Sequence, residues 1–499
     1  MSEKIKNYNL LEAELTKMAH LRNVAMIAHW DMATGIPAGS AASRGQEMAT
    51  FAAVLHDMST SKELEKLIKE ASKEKQGLDN WQKMNLKLIK EGYEKQTCLT
   101  AQVQHEFSIA SSESELYWRK ARAENDFKSF IPYLDRVFNI VRKAANMQAQ
   151  KLGKSSVDVL IDSFDPGRSA EEITKVFDRL KNELPKLISK ITAKQSTEKF
   201  IPLSKEIDES TQRAIGLKVM EKMGFNMQQG RLDKSVHPFC TGSNDDVRIT
   251  TRYDLKNFLS SLFGVIHETG HGLYQQNLPA NYRTQSVGGA LGMAFHESQS
   301  LIMEMQAGTS KSFISFLAKL LRDEFSFAGP EYSEENLYKL VTRVNPSFIR
   351  VDADEVTYPL HIILRFEIEK EILQDGFKAK DLPKLWNEKM KEYLGIVPDT
   401  DKDGCMQDIH WPSGWLGYFP SYTNGAIIAS MLMKAAKANS KQIDSELGQG
   451  NFSSLNNYLN SKLRSLGSSK ESADLLENAT GHRTIEPDIF LEYLKNKYL

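Results

Sequence analysis

Apolar residues recur at three- and four-residue steps along most of the chain. Between residues 9 and 30, Leu10, Leu11, Leu15, Met18, Leu21 and Met26 keep that spacing, with polar and charged residues between them, as an amphipathic helix requires. The stretches 62–95 and 101–150 are patterned in the same way and carry long charged faces. Asp165-Pro166-Gly167 marks a turn, and Ser169 followed by Glu172 is a capping-box signature that opens another helix. Further helices are predicted over 206–223, 254–276, 297–322, 333–344, 355–374 and 381–394, with several shorter ones beyond 424.

The pattern changes between 226 and 253. Gly230, Pro238, Gly242 and the Asn244-Asp245-Asp246 cluster punctuate two short segments, Arg231–Cys240 and Val247–Tyr253. In the second, Val247, Ile249 and Thr251 alternate with Arg248, Thr250 and Arg252, which is strand periodicity. The expected fold is therefore mainly α: a large helical body with a small antiparallel sheet near 226–253. No internal repeat, low-complexity tract or flexible linker divides the chain, so residues 1–499 read as a single domain, with room for a cleft between two helical lobes.

With 499 residues, 41% of them apolar and 26% charged, the chain has ordinary globular composition. Lys and Arg total 64 against 65 Asp and Glu, a net charge of -1, which gives no electrostatic reason to bind nucleic acid or an anionic membrane. The N-terminal segment lacks the apolar core of a signal peptide. The uncharged run from Trp411 to Met433 is interrupted by Pro412, Gly414, Gly417 and Pro420, so it reads as a buried loop leading into a helix rather than a membrane span. Three scattered cysteines, Cys98, Cys240 and Cys405, have neither disulfide-framework nor zinc-ribbon spacing; a reducing, cytoplasmic compartment is expected.

The chemistry concentrates in FGVIHETGHGLYQQ. His267 and His271 stand four residues apart, so a helix brings both imidazoles to one face, where they can share a tetrahedral metal ion. Glu268 projects beside them and can take a proton from a water on that ion. So short a motif also arises by chance. However, Leu259, Leu262, Phe263 and Ile266 mark the helix as buried, where two unpaired histidines would be out of place. A catalytic zinc needs a third protein ligand and an open position. Glu297 and His296, at the head of the next predicted helix, both qualify by chemistry, but adjacent helical residues diverge by about 100° and only one can face the ion.

The sequence resembles the carboxypeptidase Taq family of zinc metallocarboxypeptidases. The resemblance rests on His237-Pro238-Phe239, Asp246-Val247-Arg248-Ile249-Thr250, His267-Glu268-Thr269-Gly270-His271 and His296-Glu297-Ser298-Gln299. It continues through Ile349-Arg350-Val351-Asp352-Ala353-Asp354 and Gly404-Cys405-Met406-Gln407-Asp408-Ile409-His410-Trp411, all in the family's order. It implies one zinc ion per chain held by His267, His271 and Glu297, with cobalt or manganese as substitutes, and Glu268 as general base. It also implies peptide substrates with a free C-terminal carboxylate, bound in a deep substrate groove of the helical body, and a homodimer. His410 and Tyr422 are assigned to the developing oxyanion, with Tyr418 the alternative to Tyr422. Arg350 and Arg248 are the candidates for the substrate carboxylate, each with a rival role in an ion pair: Arg248 with Asp246, Arg350 with Asp352 or Asp354. His237 either contacts substrate or shapes the groove. Asp354, Glu304 and Asp408 are the candidate acceptors for the outer N–H of a metal histidine. Two other readings remain: a zinc endo-oligopeptidase of related helical shape, and an inactive helical scaffold.

Overall fold

A computed structural model describes residues 3–499; the expectation for residues 1 and 2 lies outside the described residues. Helices dominate, and they end where the local chemistry requires. The stretch 101–150 is two helices, Ala101–Glu124 and Phe127–Leu152, because Asn125 turns left-handed (φ 52°) and Asp126 caps the second through the Ser129 N–H. Likewise 62–95 divides into Lys62–Lys73 and Asn80–Gln96, the latter opened by a reciprocal capping box between Asp79 and Gln82. Only half of the box expected at Ser169 forms. The Ser169 hydroxyl accepts from the Glu172 N–H, but the Glu172 carboxylate turns to Arg168 at 2.8 Å.

Among the described residues two apolar cores form. The smaller joins Lys6–Thr34 to the helices over 62–96, through Tyr8, Leu11, Leu15 and Met18 against Leu64, Ile68, Leu86 and Ile89. The larger runs through the rest of the molecule and encloses the helix Phe258–Gln276. The Trp411–Met433 run is a largely buried series of turns, exposed at Trp415, followed by the helix Pro420–Asn439. Among the described residues no helix is long and apolar enough to cross a membrane.

The sheet differs from expectation: it is mixed, not antiparallel. Its strands are β1 (Gly230–Lys234), β2 (Phe239–Ser243) and β3 (Asp246–Thr251), in the order β1-β3-β2. A tight turn at Asn244-Asp245 folds β2 back on β3 as an antiparallel pair, filling one edge of β3. The chain also reverses between β1 and β2, so β1 runs in the direction of β3 and takes its other edge in parallel. Residues 235–238 make this crossover. Thr250 Oγ1 on the central strand accepts from the Phe239 N–H at 3.0 Å and from Ser235 Oγ at 2.7 Å, which ties the crossover down.

Glycine sets the distance between layers at two positions of the helix Phe258–Gln276. A Cβ at Gly272 would lie 2.7 Å from the Phe225 ring and 3.1 Å from Ile249, so the helix Phe258–Gln276 can lie against β3 only without one. A Cβ at Gly270 would stand 2.6 Å from Ser300 Cα, on the backbone of the helix Gly292–Leu301. Backbone cannot swing aside as a side chain can. Gly270→Ala is therefore expected to destabilise by about 2–3 kcal/mol. Gly92→Ala, in the interior of Asn80–Gln96 with nothing within 4 Å of the new methyl, is expected to gain about 0.5–1 kcal/mol. Denaturant midpoints of the two variants measure the contrast.

Candidate metal and catalytic site

The helix Phe258–Gln276 begins at Asn257, whose side chain accepts from the Ser260 N–H, and buries Leu262, Val265 and Ile266. That burial rotates His267 and His271 to one side, with their rings 5.0 Å apart and nearly perpendicular. Glu297 arrives from Gly292–Leu301, the helix that Gly270 admits to close contact. Its oxygens lie 3.7 Å from His267 Nε2 and 3.6 Å from His271 Nε2. The three donor atoms fall within 4.8 Å of one another, and it is Glu297 rather than His296 that completes the group. Two imidazole nitrogens and a carboxylate at these separations fit one divalent cation with a position left open.

The surroundings orient the donors. The helix expected over 297–322 is interrupted: Gly292–Leu301 passes into a wider π-helical turn, Ile302–Gly308, before Lys311–Phe325. This turn carries Glu304, whose Oε2 lies 2.7 Å from His267 Nδ1 and leaves Nε2 for the ion. Of the three acceptors proposed from sequence, Glu304 alone meets a donor histidine. Asp354 instead accepts from the Val356 and Thr357 N–H groups at the start of Tyr358–Ile372, and Asp408 binds two arginines. His296 sits behind His271, with their Nδ1 atoms 2.6 Å apart, so one ring donates to the other. Burial pulls the His296 pKa down to about 4, which keeps that ring neutral and able to accept. Burial likewise lowers His267, yet Glu297 and Glu304 outweigh it and carry its pKa up to about 10. Glu268 is buried beside the donors, and burial pushes its carboxyl up to about 7 against the opposing pull of His267.

A wall of aromatic and cationic groups stands within electrostatic reach of Glu297. Gly425 lets the helix Pro420–Asn439 approach that residue: a Cβ there would lie 2.7 Å from the Glu297 Cβ. One turn earlier, Tyr422 places its hydroxyl 3.3 Å from His410 Nε2. Burial pushes the Tyr422 hydroxyl up to about 12 and pulls His410 down to about 3, so both are neutral near pH 7. Tyr418 stacks edge-on to Tyr422 and to Phe164. Arg350 is buried; its partner is neither Asp352 nor Asp354 but Asp408, to which Nε and Nη2 donate at 3.0 and 2.9 Å, while Nη1 donates to the Tyr358 hydroxyl at 2.9 Å. Arg365 donates to the other Asp408 oxygen at 2.8 Å. Two guanidiniums thus share one carboxylate, and the group keeps an uncompensated positive charge.

The two remaining candidates have other partners. Arg248 forms a fork with Asp246, both bonds 2.9 Å, and lies over the Trp30 ring, clamping β3 to the first long helix. His237 is on the crossover between β1 and β2, where burial and then Arg252, Arg119 and Arg122 lower its pKa. Sequence reasoning missed Arg365, Tyr358 and Glu369. Glu369 is buried and accepts from Trp411 Nε1 at 2.9 Å and from the Gly417 N–H at 3.0 Å, fixing the loop that carries His410. All three residues come from Tyr358–Ile372, and only the unusual density of Arg and Glu in an otherwise apolar helix hinted at them.

A histidine pair and a carboxylate from the next helix, walled by histidine and tyrosine on a helical frame, define an HExxH metallopeptidase. Comparison makes the class specific. The chain belongs to the family described as carboxypeptidase Taq (M32) metallopeptidase, whose model matches residues 10–498. It is similar to Carboxypeptidase 1 of Bacillus subtilis, 33% identical over 97% of this chain and 96% of that protein. Among solved structures it is similar to metallocarboxypeptidase 1 of Trypanosoma cruzi, with a TM-score of 0.96 and 35% identity over 99% of both chains. It also resembles the M32 carboxypeptidase of Deinococcus radiodurans, with a TM-score of 0.94 and 31% identity over 99% of both. The protein is a metallocarboxypeptidase, a peptide hydrolase that acts at C termini with a divalent metal ion.

The Glu304 contact yields a direct expectation. Glu304→Gln keeps the shape but removes the charge that raises the basicity of His267, and metal affinity should fall about 10–100-fold. Competition with a chromogenic chelator measures it, with circular dichroism to establish that the fold is intact.

Proposed function

We propose that the chain acts as one catalytic unit over residues 1–499, a zinc carboxypeptidase that releases C-terminal residues from peptides one at a time. His267, His271 and Glu297 hold the zinc, and cobalt or manganese can take its place. When bound, the ion supplies a Lewis acid that polarises the scissile carbonyl and lowers the pKa of a coordinated water to about 7. Glu268 receives the proton of the attacking water and passes it to the departing amine; a buried carboxyl brought up to about 7 suits both halves of that transfer near neutrality. Tyr422, hydrogen-bonded to His410 and held as the neutral hydroxyl, donates to the oxygen that gains negative charge. Its contact with His410 favours it over Tyr418.

End-directed cleavage requires a cation for the substrate's terminal carboxylate. Arg350 takes this part. The observation that carries the reading is the shared Asp408: two buried arginines against one carboxylate leave a positive charge within reach of the metal donors, and a substrate carboxylate completes its neutralisation. Arg248, already paired with Asp246 and stacked on Trp30, acts by holding β3 and the groove wall, and His237 shapes the same wall. The proposal extends to a cytoplasmic homodimer. Three cysteines without disulfide partners agree with a reducing compartment.

Mass spectrometry of one peptide in its acid and amide forms, with and without chelator, tests the whole reading. Single-residue loss from the acid form alone, abolished by chelator, is expected; internal cleavage of both forms would identify an endo-oligopeptidase instead. Glu268→Gln should retain the metal and lose turnover by about 10²–10⁴-fold, and normal activity at full metal occupancy would remove Glu268 from the reaction. Arg350→Ala should depress kcat/KM on the acid peptide by at least tenfold more than on any residual hydrolysis of the amide, whereas equal losses would assign Arg350 to structure alone.

A further inference from the structure

Four arginines are buried among the described residues: Arg168, Arg350, Arg365 and Arg464. Three have a carboxylate. Arg168 donates to Glu172, and Arg350 and Arg365 share Asp408. Such pairing is what an interior demands, since a charge removed from water without a counter-charge is strongly disfavoured. Arg464 breaks the pattern. Its exposure is 0%, and its acceptors are three neutral amide oxygens: Gln299 Oε1 at 2.9 Å from Nε, with Asn456 Oδ1 at 2.9 Å and Asn460 Oδ1 at 3.2 Å from Nη1. Nη2 is buried and meets no acceptor from any described residue. Burial pulls the guanidinium down to about 9, with Tyr274 alone opposing it.

Tyr274 has the complementary deficit. It too has 0% exposure, and its hydroxyl, beside the Leu291 N–H, meets no acceptor for its own proton among the described residues. The two groups lie within electrostatic reach of each other; a buried N–H of a charged guanidinium and a buried phenolic O–H are both donors, and two such donors select an anion. The single positive charge fixes its valence at one. Full burial fixes its size as small and favours a weakly hydrated ion over one that holds its water tightly. We infer that Arg464 and Tyr274 bind a monovalent anion of the halide class, chloride under ordinary conditions. A water molecule could satisfy the same donors, but it would leave the charge uncompensated.

The place lies directly behind the metal donors. Tyr274 follows His271 by three residues on the same helix, and its ring is 5.3 Å from that of His296, the residue hydrogen-bonded to His271. Gln299, which accepts from Arg464, follows Glu297 by two residues. The anion thus fastens both donor-bearing helices to the segment Arg464–Leu466. Its removal should loosen the metal as well as the fold.

The test uses the full-length, metal-loaded protein. Crystals soaked in sodium bromide should give an anomalous peak within hydrogen-bond distance of Arg464 Nη2 and the Tyr274 hydroxyl. The unfolding midpoint in sodium chloride should exceed that in sodium gluconate of equal ionic strength by about 1–2 °C and saturate with concentration. Metal release to a chelator should be slower in chloride. Arg464→Gln and Tyr274→Phe should each reduce the chloride effect on midpoint and on metal release. A water at the site with no bromide peak, or a peak with no chloride effect on either measurement, overturns the inference. So does a chloride effect undiminished in both variants, since it then arises elsewhere. If Arg464→Gln fails to fold, Tyr274→Phe and the bromide data on the unaltered protein decide.

Discussion

At Gly270 the helix carrying His267 and His271 meets the backbone of Gln299 and Ser300 on the helix carrying Glu297, with no side chain between them. The three donor atoms can gather within 4.8 Å only because the two helices touch there. Each neighbouring layer is brought in by the same device: Gly272 admits Phe225 and Ile249 on one side, and Gly425 brings the helix with Tyr422 up to the Glu297 side chain on another. The site is thus set by backbone spacing, which side-chain rearrangement cannot mimic.

Around that centre the molecule tolerates an unusual concentration of buried charge. Glu268, Glu297, Arg350, Arg365, Glu369 and Arg464 are all withdrawn from water. Isolated, each would be strongly disfavoured. Shared partners make them tolerable: Asp408 serves two arginines, Glu369 receives donors from both ends of the His410 loop, and Glu304 secures His267. The imbalances that remain are chemically informative. A positive charge is left beside the tyrosine wall and another behind the metal donors, while negative carboxylates crowd the donors themselves. Each surplus marks a place suited to a ligand of opposite charge.

The N-terminal helices are attached by other means. Their small core is separate from the main one, and part of their hold on the sheet is electrostatic, with Trp30 lying under both Arg231 and Arg248. The fork between Arg248 and Asp246 therefore serves to connect the two parts of the chain.

What the sequence determined by itself was whatever depends on residues close together in the chain. Helical spacing of apolar residues gave a mainly α fold, His267 and His271 four apart brought two imidazoles to one helix face, and six ordered motifs gave the family. Helix ends were legible only in part: Asn125-Asp126 and Asp79 with Gln82 carry capping chemistry that the apolar pattern runs straight through. The tertiary structure decided everything that requires partners far apart in sequence. It made the sheet mixed, since only the crossover over residues 235–238 determines which edge of β3 is left for β1. It chose Glu304 over Asp354 for His267 through a π turn, and gave Arg350 to Asp408, 58 residues away, rather than to the aspartates beside it. The physical reason is common to all three: short-range spacing fixes the face on which a side chain emerges, whereas its partner is fixed by how closely two backbones can approach.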